Sequence, residues 1–189
     1  MSSVDEVVAA VEGGKLVVVP TDTVYGLACR PDRESSVRAL SALKRRSPDQ
    51  PIALVAAGVE PLLELIPELA DVRLVRGPFT LVVANPERRL PWLGGDTIGV
   101  RLPELDGLAA ELLARVGVVA ATSANLHGGA DPRRVGDVPD EILEGVAAAL
   151  DAGELPGTPS TVLDLTGAEP RVLREGVVPA AEALRRVAE

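Results

Sequence analysis

The sequence predicts a single α/β domain over residues 1–189, built on a twisted, mixed β-sheet that helices flank. Three observations lead to this fold class. Short β-branched runs, which are typical of buried strands, are interleaved with segments of helical periodicity. Two further strand-like segments near the C-terminus are joined by a short turn, which adds a strand pair and indicates a mixed sheet. A chain of 189 residues can bury one full core and is short for two.

Periodicity and end signals predict the elements of the first half. The capping-box pattern Ser3-Val4-Asp5-Glu6 starts the first helix, and uninterrupted apolar runs mark strands that are buried on both faces. In chain order, the predicted elements are a helix over 4–12, a strand over 16–19 that Pro20 ends, a helix over 32–46, a strand over 52–57, two short helices within 61–75 that Pro67 separates, and a strand over 81–83.

The second half shows the same alternation. A loop over 86–95 holds Trp92, which is interpreted as a core residue in preference to the anchor of a mobile loop. An alanine-rich composition leaves residues 140–150 open between a helix and a strand. The other predicted elements are a strand over 97–102, a helix over 105–116 with Leu108, Leu112, Leu113 and Val116 on its periodic face, a strand over 118–121, strands over 160–165 and 171–174, and a helix over 179–187.

Polar side chains follow two of these predicted strands. Residues 21–26 come after the first strand, and Thr122-Ser123-Ala124-Asn125 follows the strand over 118–121. An open α/β sheet binds ligands beyond the carboxyl ends of its strands, so both segments are candidate ligand-binding loops. Threonine hydroxyls also cap nearby backbone groups, and a self-capped turn over 21–26 is compatible with ligand binding.

Positive charge is concentrated in one stretch of an acidic chain. Residues 30–46 carry six cations and two acids, whereas the whole sequence has a net charge of −9. The stretch ends in Lys44-Arg45-Arg46. One interpretation is a solvated helix end whose cations complement the negative pole of the helix dipole. The other is an anion site, because arginine offers phosphate a planar fork and lysine a mobile point charge.

Composition disfavours several classes of function. The chain has only three aromatic residues, too few for stacking single-stranded nucleic acid, and its acidic charge disfavours nonspecific duplex binding. With one cysteine, Cys29, and one histidine, His127, neither an internal disulfide nor a Cys/His zinc site can form, and we expect no metal site. The sequence shows no signal-peptide pattern and no apolar run of the roughly 20 residues that a membrane helix needs, so we expect a cytoplasmic protein.

Familiar catalytic and nucleotide motifs are missing from the sequence. It contains neither a Gly-x-x-x-x-Gly-Lys-Ser/Thr phosphate loop nor Gly-x-Gly-x-x-Gly after a strand, so side chains must hold much of any nucleotide. His127 lies four residues from Ser123, but no Gly-x-Ser-x-Gly elbow surrounds that serine. A Ser/His hydrolase is therefore disfavoured, and we interpret His127 as a surface-loop residue.

Five segments, taken in order, carry a family resemblance. They read Pro20-Thr21-Asp22-Thr23-Val24-Tyr25-Gly26-Leu27, Lys44-Arg45-Arg46, Gly77-Pro78-Phe79-Thr80, Thr122-Ser123-Ala124-Asn125 and Ser160-Thr161-Val162-Leu163-Asp164, with Arg174 before Gly176 as a sixth element. From about residue 10 to 178, their order and spacing resemble the short, single-domain form of the YrdC-like threonylcarbamoyl-AMP synthase family. Enzymes of this family start the threonylcarbamoyl modification of adenosine in transfer RNA.

The resemblance implies a fold, a reaction and a set of site residues. The sheet would form one wall of a wide, positively lined cavity. The reaction would be that of a nucleotidyltransferase, which combines L-threonine, bicarbonate and ATP into threonylcarbamoyl-AMP and releases pyrophosphate. The implied ATP contacts are Lys44, Arg46, Gln50, Thr80, Ser123, Asn125 and Arg174, with Lys44 and Arg46 as the catalytic pair beside the phosphates. The implied L-threonine contacts are Thr23, the Ala121 backbone and Ser160.

The resemblance also implies partners. Mg²⁺ is expected to arrive with the triphosphate, because magnesium commonly binds substrate phosphates and keeps several waters. A labile adenylate implies that the product passes to a threonylcarbamoyl transferase complex, and a contact with transfer RNA is compatible with that role.

The sequence departs from the family pattern in five places. Asp22 replaces a more common glutamate, and Gln50 stands where an asparagine is frequent. Val55 occupies a position at which longer members often place a histidine near threonine. His127 stands where serine or threonine is typical, and Asp131, where a small hydroxyl residue is usual, would repel phosphate if it pointed inward. These differences leave open a divergent relative that acts on another small substrate.

A different class of function is also open, an RNA-binding module that uses the same basic cavity as a site for an A-form backbone. The acidic net charge and the scarcity of aromatic residues weigh against it. Threonine- and bicarbonate-dependent release of pyrophosphate from ATP would favour the synthase. Retention of RNA that is indifferent to ATP would favour the module.

Overall fold

The computed structural model describes residues 1–48 and 50–188, which form one nine-stranded sheet with helices on both of its faces. The strands are β1 (Val17–Val19), β2 (Gly26–Cys29), β3 (Ala53–Ala56), β4 (Phe79–Ala84), β5 (Thr97–Arg101), β6 (Val118–Ser123), β7 (Ala148–Ala149), β8 (Thr161–Asp164) and β9 (Arg171–Arg174). The α-helices are α1 (Val4–Glu12), α2 (Glu34–Leu43), α3 (Val59–Leu65), α4 (Gly107–Val116), α5 (Asp140–Glu144) and α6 (Ala180–Ala188).

The strand order mixes early and late parts of the chain. Across the sheet, the order is β7-β1-β2-β6-β3-β5-β4-β8-β9. The pairs β1–β7, β3–β5 and β4–β8 are parallel, whereas β1–β2, β2–β6, β3–β6, β4–β5 and β8–β9 are antiparallel. The prediction of a mixed sheet that ends in an antiparallel pair is therefore confirmed.

Helices cover the two faces of the sheet unequally. On the first face, α2, α3 and α6 contribute Leu40, Leu62 and Ala183 to the larger core. On the second face, α1 and α4 pack against each other and against one half of the sheet, through Val7 and Leu112. The second face of β5, β4 and β8 borders an open cavity instead. The uncovered half of this face is where a ligand can reach the sheet.

Strand β4 shows how this asymmetry follows from sequence. Phe79, Leu81 and Val83 point into the larger core, whereas Thr80 and Val82 line the cavity on the opposite face. Side chains alternate between the two faces of a strand, so every second residue of an apolar run reaches the cavity. The floor of the cavity is consequently made of small and polar side chains that belong to buried strands.

Two predicted helices differ from the structure in their bounds. The helix predicted over 32–46 covers only Glu34–Leu43, because Arg45 has a left-handed backbone conformation (φ 53°) that an α-helix cannot continue. Lys44 is buried past the helix end, so the interpretation of this lysine as part of a solvated helix end is wrong. Helix α4 begins at Gly107, and Leu108, which was expected inward, is exposed while Ala109 is buried.

The connection after β1 also differs from expectation. Strand β2, which has no clear signal in the sequence, runs antiparallel to both β1 and β6. Residues 21–25 therefore join two antiparallel neighbours and do not lead into a helix. The ambiguity over 140–150 resolves into both elements, α5 followed by β7. Trp92 is half-buried and packs at the edge of the core, where its Nε1 donates to Pro31 O at 2.9 Å.

The described residues include no helix that is long and apolar enough to cross a membrane.

Candidate functional site

An open cavity of about 470 Å³ lies on the uncovered half of the sheet. Its floor is formed by alternate residues of four neighbouring strands, β3, β5, β4 and β8, and its walls come from the turn after β1, the end of β6 and the segment before β8. The floor residues are Ala53, Val55, Thr80, Val82, Gly99, Arg101 and Val162. The prediction that the sheet forms one wall of a wide cavity is confirmed.

A buried ion pair marks one end of the cavity. Arg101 and Asp22 form a salt bridge in which each side chain is only 9% exposed. The Nη2 atom of Arg101 also donates to Thr23 Oγ1 at 2.7 Å, and its Nε has no hydrogen-bond partner among the described residues. Burial lowers the pKa of Arg101, and the charge of Asp22 partly opposes that shift. A partly satisfied guanidinium in a half-open cavity is a ready site for a carboxylate.

The turn that carries Asp22 is held by its own hydroxyls. Thr21 Oγ1 donates to Val24 O at 2.7 Å and accepts from the backbone N–H groups of Thr23 and Val24, each at 3.2 Å. Thr21, Thr23 and Val24 also line the cavity. The interpretation as a self-capped turn is confirmed, and the same turn presents side chains to the cavity, where ligand binding stays a prediction.

The opposite end of the cavity is built around Ser160. Thr80 Oγ1 and Ser160 Oγ lie 2.8 Å apart, and Arg174 Nη2 donates to Ser160 O at 2.9 Å. The pairing of β8 with β4 and β9 brings these three residues together, since Thr80 is opposite Val162 and Val162 is opposite Arg174. Thr80, Ser160 and Arg174 all line the cavity, so one guanidinium and two hydroxyls meet at this end.

Arg46 reaches the cavity through residues that line it. Its Nη1 donates to Thr122 Oγ1 at 3.2 Å and its Nη2 donates to Pro51 O at 3.0 Å, and both partners are lining residues. Its Nε has no partner among the described residues. Burial lowers the pKa of Arg46. Ser123 follows Thr122 in the same wall and lines the cavity, whereas Arg46 is not itself among the described lining residues and borders the cavity through its two partners.

Lys44 lies behind this wall. It is 4% exposed, and its ammonium donates to Ser123 O, to Asn125 O at 2.6 Å and to Asn125 Oδ1 at 2.8 Å. These three acceptors match the three donors of a lysine. Burial lowers the pKa of Lys44 to about 8, and the charge of Arg46 adds to this shift. In this arrangement, Lys44 holds the segment that presents Ser123.

Asn125 completes that support. Its Oδ1 accepts from Ser123 Oγ at 2.7 Å as well as from Lys44, and its Nδ2 donates to Gly129 O at 2.6 Å. Asn125 is buried, and neither it nor Lys44 is among the described residues that line the cavity. The amide therefore fixes both ends of the loop that closes the cavity beside β6.

The remaining expected site residues divide between the cavity and its surroundings. Ala121, Val55 and Asp131 line the cavity, and Asp131 is the only carboxylate among the described lining residues. Gln50 is half-buried outside the lining, next to a residue that lies outside the described ranges. His127 is exposed on its loop, which agrees with its interpretation as a surface residue.

Arg101 is the functional candidate that sequence patterns did not single out. Arg101 lies near the end of the apolar strand predicted over 97–102, and a charged residue at such a position is itself a sequence signal. A charged residue within an otherwise buried strand must be paired or must serve a site, because an isolated buried charge is very costly. The sequence contains the required partner in Asp22, but a separation of 79 positions along the chain conceals the contact.

The assembled site favours electrostatic stabilisation of an anionic ligand. The guanidiniums of Arg101 and Arg174 line one cavity together with the hydroxyls of Thr80 and Ser160, and Arg46 donates to two further residues that line it. Fixed cations and short donors stabilise charge that develops on phosphate without a covalent intermediate. Within the described ranges, no group of three or more His, Cys, Asp or Glu residues could hold a metal ion.

Comparisons with known proteins give the family of the chain. The family model Sua5_yciO_yrdC, described as "Telomere recombination", matches residues 9–176. A protein of Mycobacterium tuberculosis strain H37Rv named "Putative threonylcarbamoyl-AMP synthase" is 39% identical over 182 residues, which cover 90% of this chain and 82% of that protein. The threonylcarbamoyl-AMP synthase of Pyrococcus abyssi is 36% identical over 187 residues, which cover 93% of this chain and 54% of that protein.

A solved structure extends the likeness to three dimensions. The crystal structure of P. abyssi Sua5 complexed with L-threonine superposes with a TM-score of 0.86 at 33% identity. The match covers 98% of this chain and 57% of that one, so this chain spans little more than half the length of the archaeal protein.

Proposed function

Because the chain belongs to the Sua5/YciO/YrdC family, we propose that it is a threonylcarbamoyl-AMP synthase, a nucleotidyltransferase that uses ATP, L-threonine and bicarbonate. The amine of threonine and bicarbonate give a carbamate and water. A carbamate oxygen then attacks the α-phosphorus of ATP, the bond to the bridging oxygen breaks, and pyrophosphate leaves. The observation that carries this proposal is one cavity that Arg101 and Arg174 line and that Arg46 borders through Thr122 and Pro51.

The amino acid is assigned to the Arg101 end of the cavity. A carboxylate there would accept from the guanidinium, whose Nε lacks a partner among the described residues. Thr23 contacts Arg101, and Ala121 and Ser160 line the same cavity. The P. abyssi structure that contains L-threonine supports an amino-acid site in this fold.

The nucleotide is assigned to the rest of the cavity. Arg46 and Arg174 would neutralise the triphosphate, and Thr80 and Ser123 would donate to it. Lys44 and Asn125 act on the nucleotide through the Ser123 segment that they hold, and Gln50 lies near the same wall. Mg²⁺ would enter with the triphosphate, since magnesium favours phosphate oxygens and water over a cage of protein ligands.

Asp131 requires a specific place in this assignment. A carboxylate next to a triphosphate is unfavourable unless a cation or a hydroxyl donor lies between them. Asn125 Nδ2, at 3.4 Å from Asp131 Oδ1, and the nearby ammonium of Lys44 offset part of that charge. We assign Asp131 to the side of the nucleotide that carries ribose hydroxyls, away from the phosphates.

The test is release of pyrophosphate from ATP, measured with and without L-threonine and bicarbonate. An Arg46→Ala protein should lose about 10²-fold or more in kcat/KM for ATP, the size of effect seen when one fixed donor to a transition state is removed. Arg45→Ala is the matched control, because Arg45 is exposed and pairs with Glu141 at 2.9 Å. Full activity in Arg46→Ala, or no requirement for threonine in the parent protein, would refute the proposal.

The same assay, run with a panel of amino acids, separates threonine from other small substrates. A transfer-RNA modification role in the cytoplasm follows if the adenylate passes to a threonylcarbamoyl transferase complex. Adding such a complex and transfer RNA should then give modified RNA. The alternative of an RNA-binding module predicts RNA retention that Arg46→Ala abolishes and ATP leaves unchanged.

A further inference from the structure

A small apolar hollow lies directly behind one wall of the cavity. It has a volume of about 20 Å³ and is enclosed between helix α4 and the second face of the sheet, with Leu112, Leu113 and Val116 on the helix side. A space of this size would hold one water or one methyl group, and apolar cavities of this kind stay dry. An aliphatic group can therefore enter the hollow at little cost in free energy.

Three residues separate the hollow from the cavity. Thr21, Val55 and Ala121 line both spaces, so their side chains form the partition. Ala121 contributes one methyl group, and the hydroxyl of Thr21 is already engaged by its own turn. Val55 is the branched aliphatic residue of the partition, and it is 6% exposed. Its volume decides how far a ligand group can extend toward α4.

Val55 is also the direct neighbour of the buried arginine. In the parallel pairing of β3 with β5, Val55 is opposite Arg101, so both side chains rise from the same face of the sheet about 5 Å apart. A small amino acid whose carboxylate binds Arg101 must therefore place its other Cα substituents close to Val55. The polar groups at this end, on Thr23 and Asp22, are both engaged with the guanidinium of Arg101.

We propose that Val55 is the specificity-determining residue for the size of the amino-acid side chain, because it closes off the hollow behind it and so limits how far the aliphatic end of that side chain can extend. This inference rests on the proposed function, because it assigns the amino acid to the Arg101 end of the cavity. The partition offers no free hydrogen-bonding group, so Val55 discriminates by size alone. Hydrophobic pockets distinguish one methylene by about 10- to 200-fold.

Two substitutions test the proposal, one that makes the side chain at position 55 smaller and one that makes it larger, with pyrophosphate release as the assay. Val55→Ala removes two methyl groups and connects the cavity to the hollow. It should raise the ratio of kcat/KM for 3-hydroxynorvaline to that for L-threonine by about tenfold, because the analogue differs from threonine by one methylene. Val55→Ile fills the same space and should lower kcat/KM for threonine about tenfold more than for serine, which lacks the methyl group.

The control and the contradicting results are specific. Val82→Ala removes the same atoms from the same cavity floor at a position that does not touch the hollow, and it should leave both ratios as in the parent protein. Unchanged ratios in both Val55 variants, with threonine-dependent activity present, would overturn this inference and leave the proposed function standing. If the parent protein shows no threonine-dependent pyrophosphate release, the proposed function fails first. A Val55→Ala protein that does not fold leaves Val55→Ile as a sufficient test.

Discussion

Lys44 illustrates why a residue's type does not fix its role. A lysine near an arginine in a cationic stretch suggests a phosphate contact, and the sequence offers nothing against it. The structure gives all three N–H donors of Lys44 to Ser123 and Asn125, behind the wall of the cavity. The neighbouring Arg46 keeps an unpartnered Nε within the described residues and contacts Thr122, which lines the cavity. The two cations of the motif are therefore placed for different tasks.

Replacing Lys44 by methionine should destabilise the fold and reduce activity together. The substitution removes the lysine donor from three acceptors, of which Asn125 Oδ1 keeps Ser123 Oγ, and this loss should lower the free energy of unfolding by about 2 kcal/mol or more. Burial lowers the pKa of Lys44 to about 8, so between pH 8 and 10.5 the folded state loses a proton that the unfolded state keeps. Stability from this residue therefore rises with pH over that window.

Denaturant unfolding at several pH values checks both parts of this prediction. The stability difference between the parent protein and Lys44→Met should widen between pH 8 and 10. Lys15→Met, at an exposed position, serves as the control and should show no such trend. A difference that stays constant with pH would show that the buried ammonium does not titrate as expected.

At the residue scale, the sequence predicts the polar members of the site better than the charged ones. Thr23, Thr80, Ser123 and Ser160 all line the cavity, because each is fixed by the strand beside it. Arg101 escapes prediction, since its significance depends on Asp22 across a strand pairing that cannot be read from local spacing. Charged groups acquire their roles from partners that are distant in sequence.

At the scale of elements, the β8–β9 hairpin shows how a strand end is made to hold Ser160 and Arg174 in place. Asp164 closes the hairpin by accepting from Thr166 Oγ1 at 2.6 Å, from Thr166 N at 2.9 Å and from Arg171 Nη2 at 2.8 Å. The register shifts between Val162 and Leu163, which brings Arg174 opposite Val162 on the cavity side. The hairpin turn and the cavity wall thus belong to one cooperative unit.

Asp164→Asn should make the hairpin less sensitive to acid. Hydrogen bonds from Thr166, together with Arg171, lower the pKa of Asp164 to about 2. A depressed carboxyl pKa gives stability that is complete above about pH 4 and is lost as pH falls toward 2. The parent protein should therefore lose stability more steeply than Asp164→Asn between pH 4 and 2, as followed by thermal unfolding.

The matched control for that experiment is Asp71→Asn, which changes an exposed aspartate. It should retain the steep acid response of the parent protein. Parallel acid profiles for the parent and Asp164→Asn would contradict the assigned role of the carboxylate.

Element boundaries show where local sequence signals stop being sufficient. Helix α1 is predicted correctly, and both hydrogen bonds of the Ser3 and Glu6 capping box are present. Helix α2 ends earlier than its periodicity indicates, because the chain turns at Arg45 to bring Lys44 and Arg46 under β6. Strand β2 has only small and apolar residues after a glycine, and its neighbours alone make it a strand. Tertiary contacts override propensity at these sites.

At the scale of the whole molecule, the cavity exists because helices cover only half of one face of the sheet. The interleaving of strands and helices predicts the mixed sheet, but it does not say which half of a face stays open. That depends on where α1 and α4 pack, and so on pairings between strands far apart in the chain. The family resemblance predicts the cavity, whereas the periodicity of the sequence does not.

Gly99→Val should fill part of the cavity on the uncovered half of the sheet face without unfolding the protein. A Cβ at Gly99 would lie 3.3 Å from the Ala53 Cβ and 3.5 Å from the Thr80 Cγ2, so a branched side chain there must project into the cavity. We expect the KM for ATP to rise about tenfold or more, with the free energy of unfolding changed by about 1 kcal/mol at most. Pyrophosphate release and thermal unfolding measure the two effects.

Gly136→Val is the matched control, because a Cβ at Gly136 meets no atom within 4 Å and lies away from the cavity. An unchanged KM in Gly99→Val would show that substrates do not approach this part of the floor. Global unfolding of Gly99→Val would instead show that the backbone cannot shift enough to relieve the close contact with Ala53.

The strand order has a further consequence for synthesis on the ribosome. Strand β4 pairs with β8, and β1 pairs with β7, so the sheet cannot close until the last quarter of the polypeptide has emerged. Domains dominated by such distant pairings fold slowly, and translation adds only about 5–20 residues per second. Among the residues that line the cavity, those of the wall that holds Ser160 and Arg174 leave the ribosome last, so a nascent chain lacks that wall. The topology thus ties the completion of the cavity to the completion of translation.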